Sequence, residues 1–542
     1  MSKDKKFVIA IGGTGMRCLE SFVHLCAIGM FDNEEIEILT LDTDNGNGNK
    51  ARVEHLIDCY CRIKSNATDK IDGGTPNVNT FFSAKLNLHR FFTDYSKAER
   101  STYADLSKLS SGNPEVAKDN QDLSDLFIDK ETVQKFKLDH GYRAQTHLGS
   151  YLMYHSIVEA ARDRKEGKDT APVVGLSNFL ELLLQAGENA RVFIFGSVFG
   201  GTGASSIPII PVALNDAIKM RDSHSELSAK VKFGSTLLTE YFTFKKPDNQ
   251  ELNNEKVIAQ SDFFSLNSQA ALQFYQGDPT VQKYYRRLYH VGWPLRSSLL
   301  DPEGGKLTKT GGAQQKNDCH VVELMSACAA YDFFTLKDED LDNQKAEYLY
   351  RSAQFDGANF SFDGADFMGE KGDLFTNKLG AFFSFAHIVL AKNHAASGDK
   401  GTKGFITQLN QNKIPDYNDI KDEQTVDIDN YMRLFGYEIQ DNRLRRGWIY
   451  QVYNSVTPGR FIFKPTAFED VNLNKIDPGD LFIDEKHQWD KNIFHDRYDT
   501  FVTGLVKSGS TPDPDRQNVS TTKERFLAHI YNGITKAQKF EL

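Results

Sequence analysis

Phe199-Gly200-Gly201-Thr202-Gly203-Ala204-Ser205 follows the apolar run Val192 to Phe195 and leads into an apolar helical segment. Three glycines at a strand-to-helix turn let successive backbone N–H groups point into one concavity. That concavity lies on the positive end of a helix, an arrangement suited to phosphate. A second loop of this kind, Gly12-Gly13-Thr14-Gly15 with Met16 behind it, follows Phe7-Val8-Ile9-Ala10-Ile11. Two such loops in one α/β chain predict a nucleotide held from two sides.

Outward from the first loop the pattern is strand, glycine turn, helix, strand. Met16 to Met30 carries apolar residues at helical spacing (Leu19, Phe22, Val23, Cys26), and Ile36 to Leu41 is a strand ending on Asp42-Thr43-Asp44. A βαβ opening of this type predicts a parallel sheet. Residues 60–140 are polar and weakly patterned, and read as helices and loops inserted on the sheet. Further on, Lys232 to Phe244 reads as one long strand, Cys319 to Leu336 as a buried central helix and Ala353 to Phe367 as a hairpin. Leu374 to Leu390 reads as a core helix, Trp448 to Tyr453 as part of a β-rich stretch, and Thr521 to Phe540 as a terminal helix.

At 542 residues, two or three domains are expected, and 40% apolar with 25% charged residues is a globular balance. The formal charge of −10 argues against a surface built broadly for nucleic acid, so Arg443-Leu444-Arg445-Arg446 is read as a solvated face. No apolar run reaches the roughly 18 residues of a membrane span. Met1-Ser2-Lys3-Asp4-Lys5-Lys6 leads straight into a strand, so a cytoplasmic protein is expected. The six cysteines form no CxxC pair and are expected to be reduced and buried.

Gly13-Thr14-Gly15 with Asp42 at the end of the second strand is compatible with a dinucleotide site, in which Asp42 holds a ribose. The third glycine of that fingerprint is replaced by Cys18. A Walker loop is excluded more firmly: Gly304-Gly305-Lys306 is followed by Leu307, and no Gly-Lys-Ser/Thr occurs.

The order and sequence of the two loops resemble the tubulin/FtsZ superfamily, whose signature is Gly-Gly-Gly-Thr-Gly-Ser/Thr-Gly. Here Phe199 and Ser205 replace the outer glycines, Ala204 stands at the hydroxyl position and the centre Gly200 to Gly203 is intact. Leu41-Asp42-Thr43-Asp44 is similar to the Asn-Thr-Asp that ends the second strand of the family. Gly141-Tyr142-Arg143-Ala144 through Gly149 resembles its third phosphate loop. Thr239-Glu240-Tyr241-Phe242-Thr243-Phe244 resembles its Thr-Lys-Pro-Phe-x-Phe strand end, with Lys245 where the family has a ribose-binding Glu. Asn317-Asp318 resembles the polar start of the central helix, which reads the guanine base.

The resemblance implies an α/β fold: a Rossmann-like parallel-sheet GTPase domain over residues 1–315, a central helix at 316–336, a second smaller α/β domain at 337–470 and a C-terminal extension at 471–542. It implies GTP or GDP with Mg²⁺ as ligands. Gly12, Gly13, Thr14, Gly15, Met16, Asp42, Asp44, Arg143, Ala144, Gly200, Gly201, Thr202, Gly203, Ala204, Glu240 and Asn317 are the nucleotide-binding candidates. In this superfamily the next subunit of a head-to-tail polymer completes the site with acidic residues, which orient water against the γ-phosphate. Ser361-Phe362-Asp363-Gly364-Ala365-Asp366 is similar to that acidic loop, making Asp363 and Asp366 the catalytic candidates. The partner expected is therefore the chain itself, with the C-terminal extension available to recruit another protein. The alternative expectation is a tubulin-like nucleotide sensor or scaffold that does not polymerise.

Overall fold

The computed structural model describes residues 4–65, 72–92, 141–142, 146–243, 259–294, 311–342, 345–392, 401–411, 420–440, 443–456 and 522–537, with a few gaps inside these spans and isolated residues between them. Strand β1 (Lys5–Ile11) is buried on both faces from Lys6 on. It lies between β2 (Glu35–Asp42) and β4 (Ala190–Phe195), with Ile9 opposite Leu39 on one side and Ile194 on the other. Strands β3 (Lys85–Phe92), β5 (Lys232–Leu238), β6 (Tyr285–Gly292) and β7 (Glu347–Ser352) complete a parallel sheet of seven, ordered β3-β2-β1-β4-β5-β6-β7. Near-continuous apolar runs such as FVIAI and VFIF are what a sheet covered on both faces requires. The chain winds outward from β1 in one direction and from β4 in the other. The crevice at the carboxyl ends of β1 and β4 is thus the topological switch point, where open α/β sheets bind ligands.

Strand alternation sends Val8 and Ala10 to one face, and Phe7, Ile9 and Ile11 to the other. The first face is covered by α1 (Gly12–Ala27), α2 (Gly48–Lys64) and α9 (Val321–Thr335). The second is covered by α3 (Thr146–Lys165), α4 (Ala171–Ala186) and α6 (Ile210–Arg221), the last following the one-turn α5 (Thr202–Ser206). Helix α9 is apolar on nearly all sides and correspondingly buried. It opens on a capping box in which the His320 side chain accepts from the Val322 N–H and Glu323 accepts from the His320 N–H.

Between β5 and α9 lie α7 (Phe264–Gly277) and α8 (Pro279–Tyr284). After β7 come α10 (Gly364–Met368), α11 (Gly372–Lys392), α12 (Gly401–Gln411), α13 (Asp422–Phe435), α14 (Trp448–Ser455) and α15 (Thr522–Ala537). These later helices share the apolar core of α1 and α2: Trp448 lies 4.7 Å from His24 and 5.7 Å from Phe435, and its indole N–H donates to Ser21 Oγ.

Several local expectations are corrected. Within the polar stretch 60–140, Lys85–Phe92 is β3, an edge strand of the main sheet; most of 93–140 lies outside the described residues. The expected long strand stops at Leu238, and Phe242–Thr243 pairs separately with Ser297–Ser298. Trp448 to Tyr453 is helical, because Trp448, Ile449 and Val452 pack inward at helical spacing. Ala353 to Phe367 is a hairpin only at Phe355–Asp356 and Asn359–Phe360, and is helical from Gly364. Strand β7 joins the main sheet from beyond the central helix. The described residues after it are mostly helical, with two short antiparallel pairs. No helix among the described residues is long and apolar enough to cross a membrane.

Candidate functional site

Both glycine loops meet at the switch point. A groove with about 720 Å³ of empty space, open to solvent, is lined by Gly12, Gly13 and Thr14 after β1, and by Phe199, Gly200, Gly201, Thr202 and Gly203 after β4. Asp42, Asp44 and Asn47 flank it from the end of β2, Gly141 and Tyr142 from the segment before α3, and Gly311 and Gln315 from the approach to α9. Phe242, Ala259 and Phe264 add an apolar side.

Gly12 has φ of +65°, a left-handed conformation that starts the helix abruptly at the strand end. A Cβ there would lie 3.1 Å from Thr202 Cβ, so the two loops are in direct contact. No side chain caps α1 and no acidic residue occupies its first turn, so the helix presents its N–H groups and positive end to the groove. Helix α5 also begins without a side-chain cap. Gly203 serves the turn itself: a Cβ would meet Ser197 O at 2.6 Å. Gly15 is likewise a packing glycine, with a Cβ position 2.4 Å from Phe195 O.

The acidic flank is unusual electrostatically. Asp42 Oδ1 accepts the N–H groups of Thr43 at 2.8 Å and Asp44 at 3.2 Å, while Oδ2 is buried without a partner. Burial, with Asp44 nearby, raises the Asp42 carboxyl to about 7 despite those two hydrogen bonds. Asp44 Oδ2 accepts the Gly312 N–H at 2.6 Å, and Gly48 N–H donates to Gly312 O at 3.1 Å, which ties the 311–315 segment over the end of β2.

A row of carboxamides forms the next wall. Asn47 caps α2 through Oδ1, which accepts the Asn49 N–H at 2.9 Å, and its Nδ2 donates to Gln315 Oε1 at 2.6 Å. Asn49 Oδ1 accepts the Asn317 N–H at 3.2 Å and leaves Nδ2 without a partner. The Asn47 and Asn49 Nδ2 atoms and Gln315 Oε1 all lie within 3.5 Å of where a Gly13 Cβ would stand. Asn317 is 1% exposed, and both its carboxamide oxygen and nitrogen are buried without a partner.

Of the sequence candidates, Gly12, Gly13, Thr14, Asp42, Asp44, Gly200, Gly201, Thr202 and Gly203 are brought to one groove. Gly15, Met16 and Ala204 lie outside the groove lining: the Met16 side chain is fully buried in the core, and Ala204 O accepts the Tyr275 hydroxyl. Glu240 does not line the groove either, and accepts hydrogen bonds from Ser265 and Ser268, both at 2.6 Å. Asn317 stands behind Asn49 rather than on the groove lining. Arg143 and Ala144 lie outside the described residues. Asn47, Asn49, Gln315 and Gly311 were not singled out by the sequence. The only signal was Asn47 as an N-cap before a helix, because Gln315 and Gly311 come from more than 260 residues away.

Asp363 and Asp366 do not reach this groove within one chain. They form the capping box of α10: Asp363 Oδ1 accepts the Ala365 N–H at 2.8 Å, and Asp366 Oδ2 accepts the Asp363 N–H at 2.8 Å. Asp366 instead lines a cleft with about 1430 Å³ of empty space, open to solvent, between α10 and the α9 face carrying Met325, Cys328, Asp332 and Thr335. Burial raises its carboxyl above the usual range.

The described residues contain no group of three or more His, Cys, Asp or Glu able to hold a metal ion. All six cysteines are free and buried, and burial lifts the Cys59 and Cys61 thiols to about 12, far from a reactive thiolate at neutral pH. Comparison of the chain with protein-family models, curated proteins and solved structures finds no match.

Proposed function

We propose that this chain binds a nucleoside triphosphate in the switch-point groove and is a GTPase of tubulin/FtsZ-like type that assembles head to tail. The observation that carries the reading is the meeting of two uncapped glycine loops, from β1 and β4, around a single groove flanked by Asp42 and Asp44. A dinucleotide enzyme would use the β1 loop and Asp42, but would leave the Gly200–Gly203 loop without a task.

The residues fit a nucleotide. Gly12, Gly13 and Thr14 offer backbone donors at a helix N-terminus for phosphate oxygens. The Asn47 and Gln315 carboxamides on the groove wall offer donor and acceptor chemistry suited to a base edge. Asp42, whose carboxyl is raised to about 7, carries less negative charge at neutral pH than an ordinary aspartate, which limits repulsion of the phosphates. Mg²⁺, carried in by the triphosphate, would spread its charge. In this reading Asp363 and Asp366 act on the groove of the next subunit, where a carboxylate orients water. Phe263, Leu266 and Phe274, each more than half exposed on or beside α7, give an apolar rim next to Phe264 that such a subunit would cover.

The test is GTP hydrolysis against protein concentration with Mg²⁺, with light scattering recorded alongside. The proposal expects a rate per subunit that climbs above a threshold concentration as scattering rises. Asp363→Ala and Asp366→Ala should abolish hydrolysis while nucleotide binding persists. Binding with a flat, negligible rate and no scattering supports the second reading, a nucleotide sensor or scaffold. One observation favours that reading: the Glu240 carboxylate is engaged by two serines rather than turned to the groove.

A further inference from the structure

Arg17 stands on α1 one turn beyond Thr14, its side chain 2% exposed, in a position where an apolar residue would ordinarily pack. Its guanidinium faces the start of α9. Nε donates to Glu323 Oε1 at 2.6 Å and one terminal nitrogen to Glu323 Oε2 at 3.1 Å. The terminal nitrogens also donate to the backbone oxygens of Asn317 and Asp318. Glu323 is itself fixed, accepting the Tyr241 hydroxyl and the His320 N–H. The segment leading into α9 is thereby held from several sides, with Asn317 N–H on Asn49 Oδ1 and Cys319 N–H on Gln451 Oε1.

A buried ion pair adds little stability over well-packed apolar residues of similar volume, so stability alone does not account for Arg17. What it alone supplies is geometry. A planar fork with five donors can grip two consecutive carbonyls and a carboxylate together, which neither an apolar side chain nor the single ammonium of lysine can do. The helix that carries Arg17 also carries Gly12, Gly13 and Thr14 on the groove. The segment it grips runs back two residues from Asn317 to Gln315, which lines the groove.

We propose that Arg17 is a positioning residue for ligand specificity: it locks the β1 glycine loop to the 317–318 backbone, so that phosphate-binding N–H groups and the Gln315 carboxamide on the groove wall keep one fixed spacing. This rests on the nucleotide reading above. Its consequence is that Arg17 governs recognition of the base and leaves recognition of the phosphates alone.

The test measures binding of GTP, ATP and inorganic tripolyphosphate to the full chain and to Arg17→Lys. The unmodified chain should prefer GTP to ATP. Arg17→Lys, with an unchanged circular dichroism spectrum, should bind tripolyphosphate as the unmodified chain does, while its GTP-to-ATP preference shrinks by about tenfold or more. A folded Arg17→Lys chain with an unaltered preference overturns the proposal. So does loss of tripolyphosphate binding in parallel with GTP, which is what a merely structural role predicts. If Arg17→Lys does not fold, Tyr241→Phe decides: it removes one hydrogen bond to Glu323 and must reduce the preference in the same direction, or the proposal falls. A chain that binds tripolyphosphate with no base preference overturns the role of Arg17 while the phosphate groove stands. A chain that binds none of the three ligands overturns the proposed function itself.

Discussion

The two glycine loops look alike in sequence and differ in physics. The loop after β1 opens a helix of 16 residues, while the loop after β4 opens one of five, interrupted before α6 begins at Ile210 with Pro211 in its first turn. Only the long helix gathers enough aligned peptide dipoles to offer an appreciable positive end. The second loop contributes shape instead, pressing Thr202 against Gly12 and closing the groove from the other side. Within each loop the glycines divide again. Gly15 and Gly203 are glycine because backbone lies where a Cβ would be, although Gly203 also borders the groove; Gly12, Gly13, Gly200 and Gly201 border it without that constraint.

That division can be broken by mutation. The largest effect belongs to the packing glycines. Gly15→Ala places a methyl 2.4 Å from Phe195 O and Gly203→Ala one 2.6 Å from Ser197 O, both backbone atoms that cannot swing aside. Each should cost about 3 kcal/mol or more of stability in denaturant titration. Near-native midpoints would remove the distinction between packing and groove glycines.

Next comes Gly13→Ala. Its nearest neighbours are the side-chain tips of Asn47, Gln315 and Asn49 at 3.3 to 3.5 Å, which can yield. The chain should stay folded within about 1 kcal/mol of the original, yet lose about tenfold in GTP affinity as the methyl enters the groove. Unchanged affinity would move the phosphates to the second loop.

Asp42 sharpens the comparison through pH. The folded carboxyl keeps its proton up to about pH 7, against an ordinary value of 3.8. The folded state therefore binds more protons than the unfolded state between those values, and stability declines as pH rises through that window. Asp42→Asn should match the unmodified chain near the acid end and exceed it by a few kcal/mol at most near pH 8. Thermal melts of both chains across this range check it, and parallel curves would place Asp42 in a more solvated setting.

The smallest effect on stability is expected at the exposed rim. Leu266→Glu with Phe274→Glu alters residues 62% and 56% exposed, so melting should barely move. Sedimentation should nonetheless show loss of self-association, with GTP binding intact. Assembly that survives the pair would take the α7 rim out of the subunit contact.

The parts of the fold that were legible in sequence are those whose signal is local. β1, β2, β4 and both glycine turns combine apolar runs with immediate turn chemistry. β3 was hidden because Lys85, Asn87 and His89 put polar groups on one face, where they pair across the sheet with Glu35 and Glu37 at 2.6 to 3.0 Å. A strand stabilised by such pairs does not look apolar. Trp448-Ile449-Tyr450 has strand-like composition, but the pocket made by His24, Ser21 and Phe435 selects a helix. Asp363 and Asp366 resemble an acidic loop in sequence, and their local geometry is that of a helix cap.

The sequence by itself determined a parallel α/β sheet with two glycine loops at strand ends, since apolar periodicity and glycine's lack of a Cβ act over a few residues. Only the tertiary structure decided that both loops face one groove, because that depends on β1 and β4 being neighbours across some 180 residues of chain. It also decided the fates of single polar groups. Asp42 is raised to about 7 because it is buried, Glu240 is engaged because Ser265 and Ser268 lie beside it, and the Asn317 backbone is held because Arg17 and Asn49 reach it from distant segments. Burial and partner choice are properties of packing between distant segments, which no stretch of sequence carries alone.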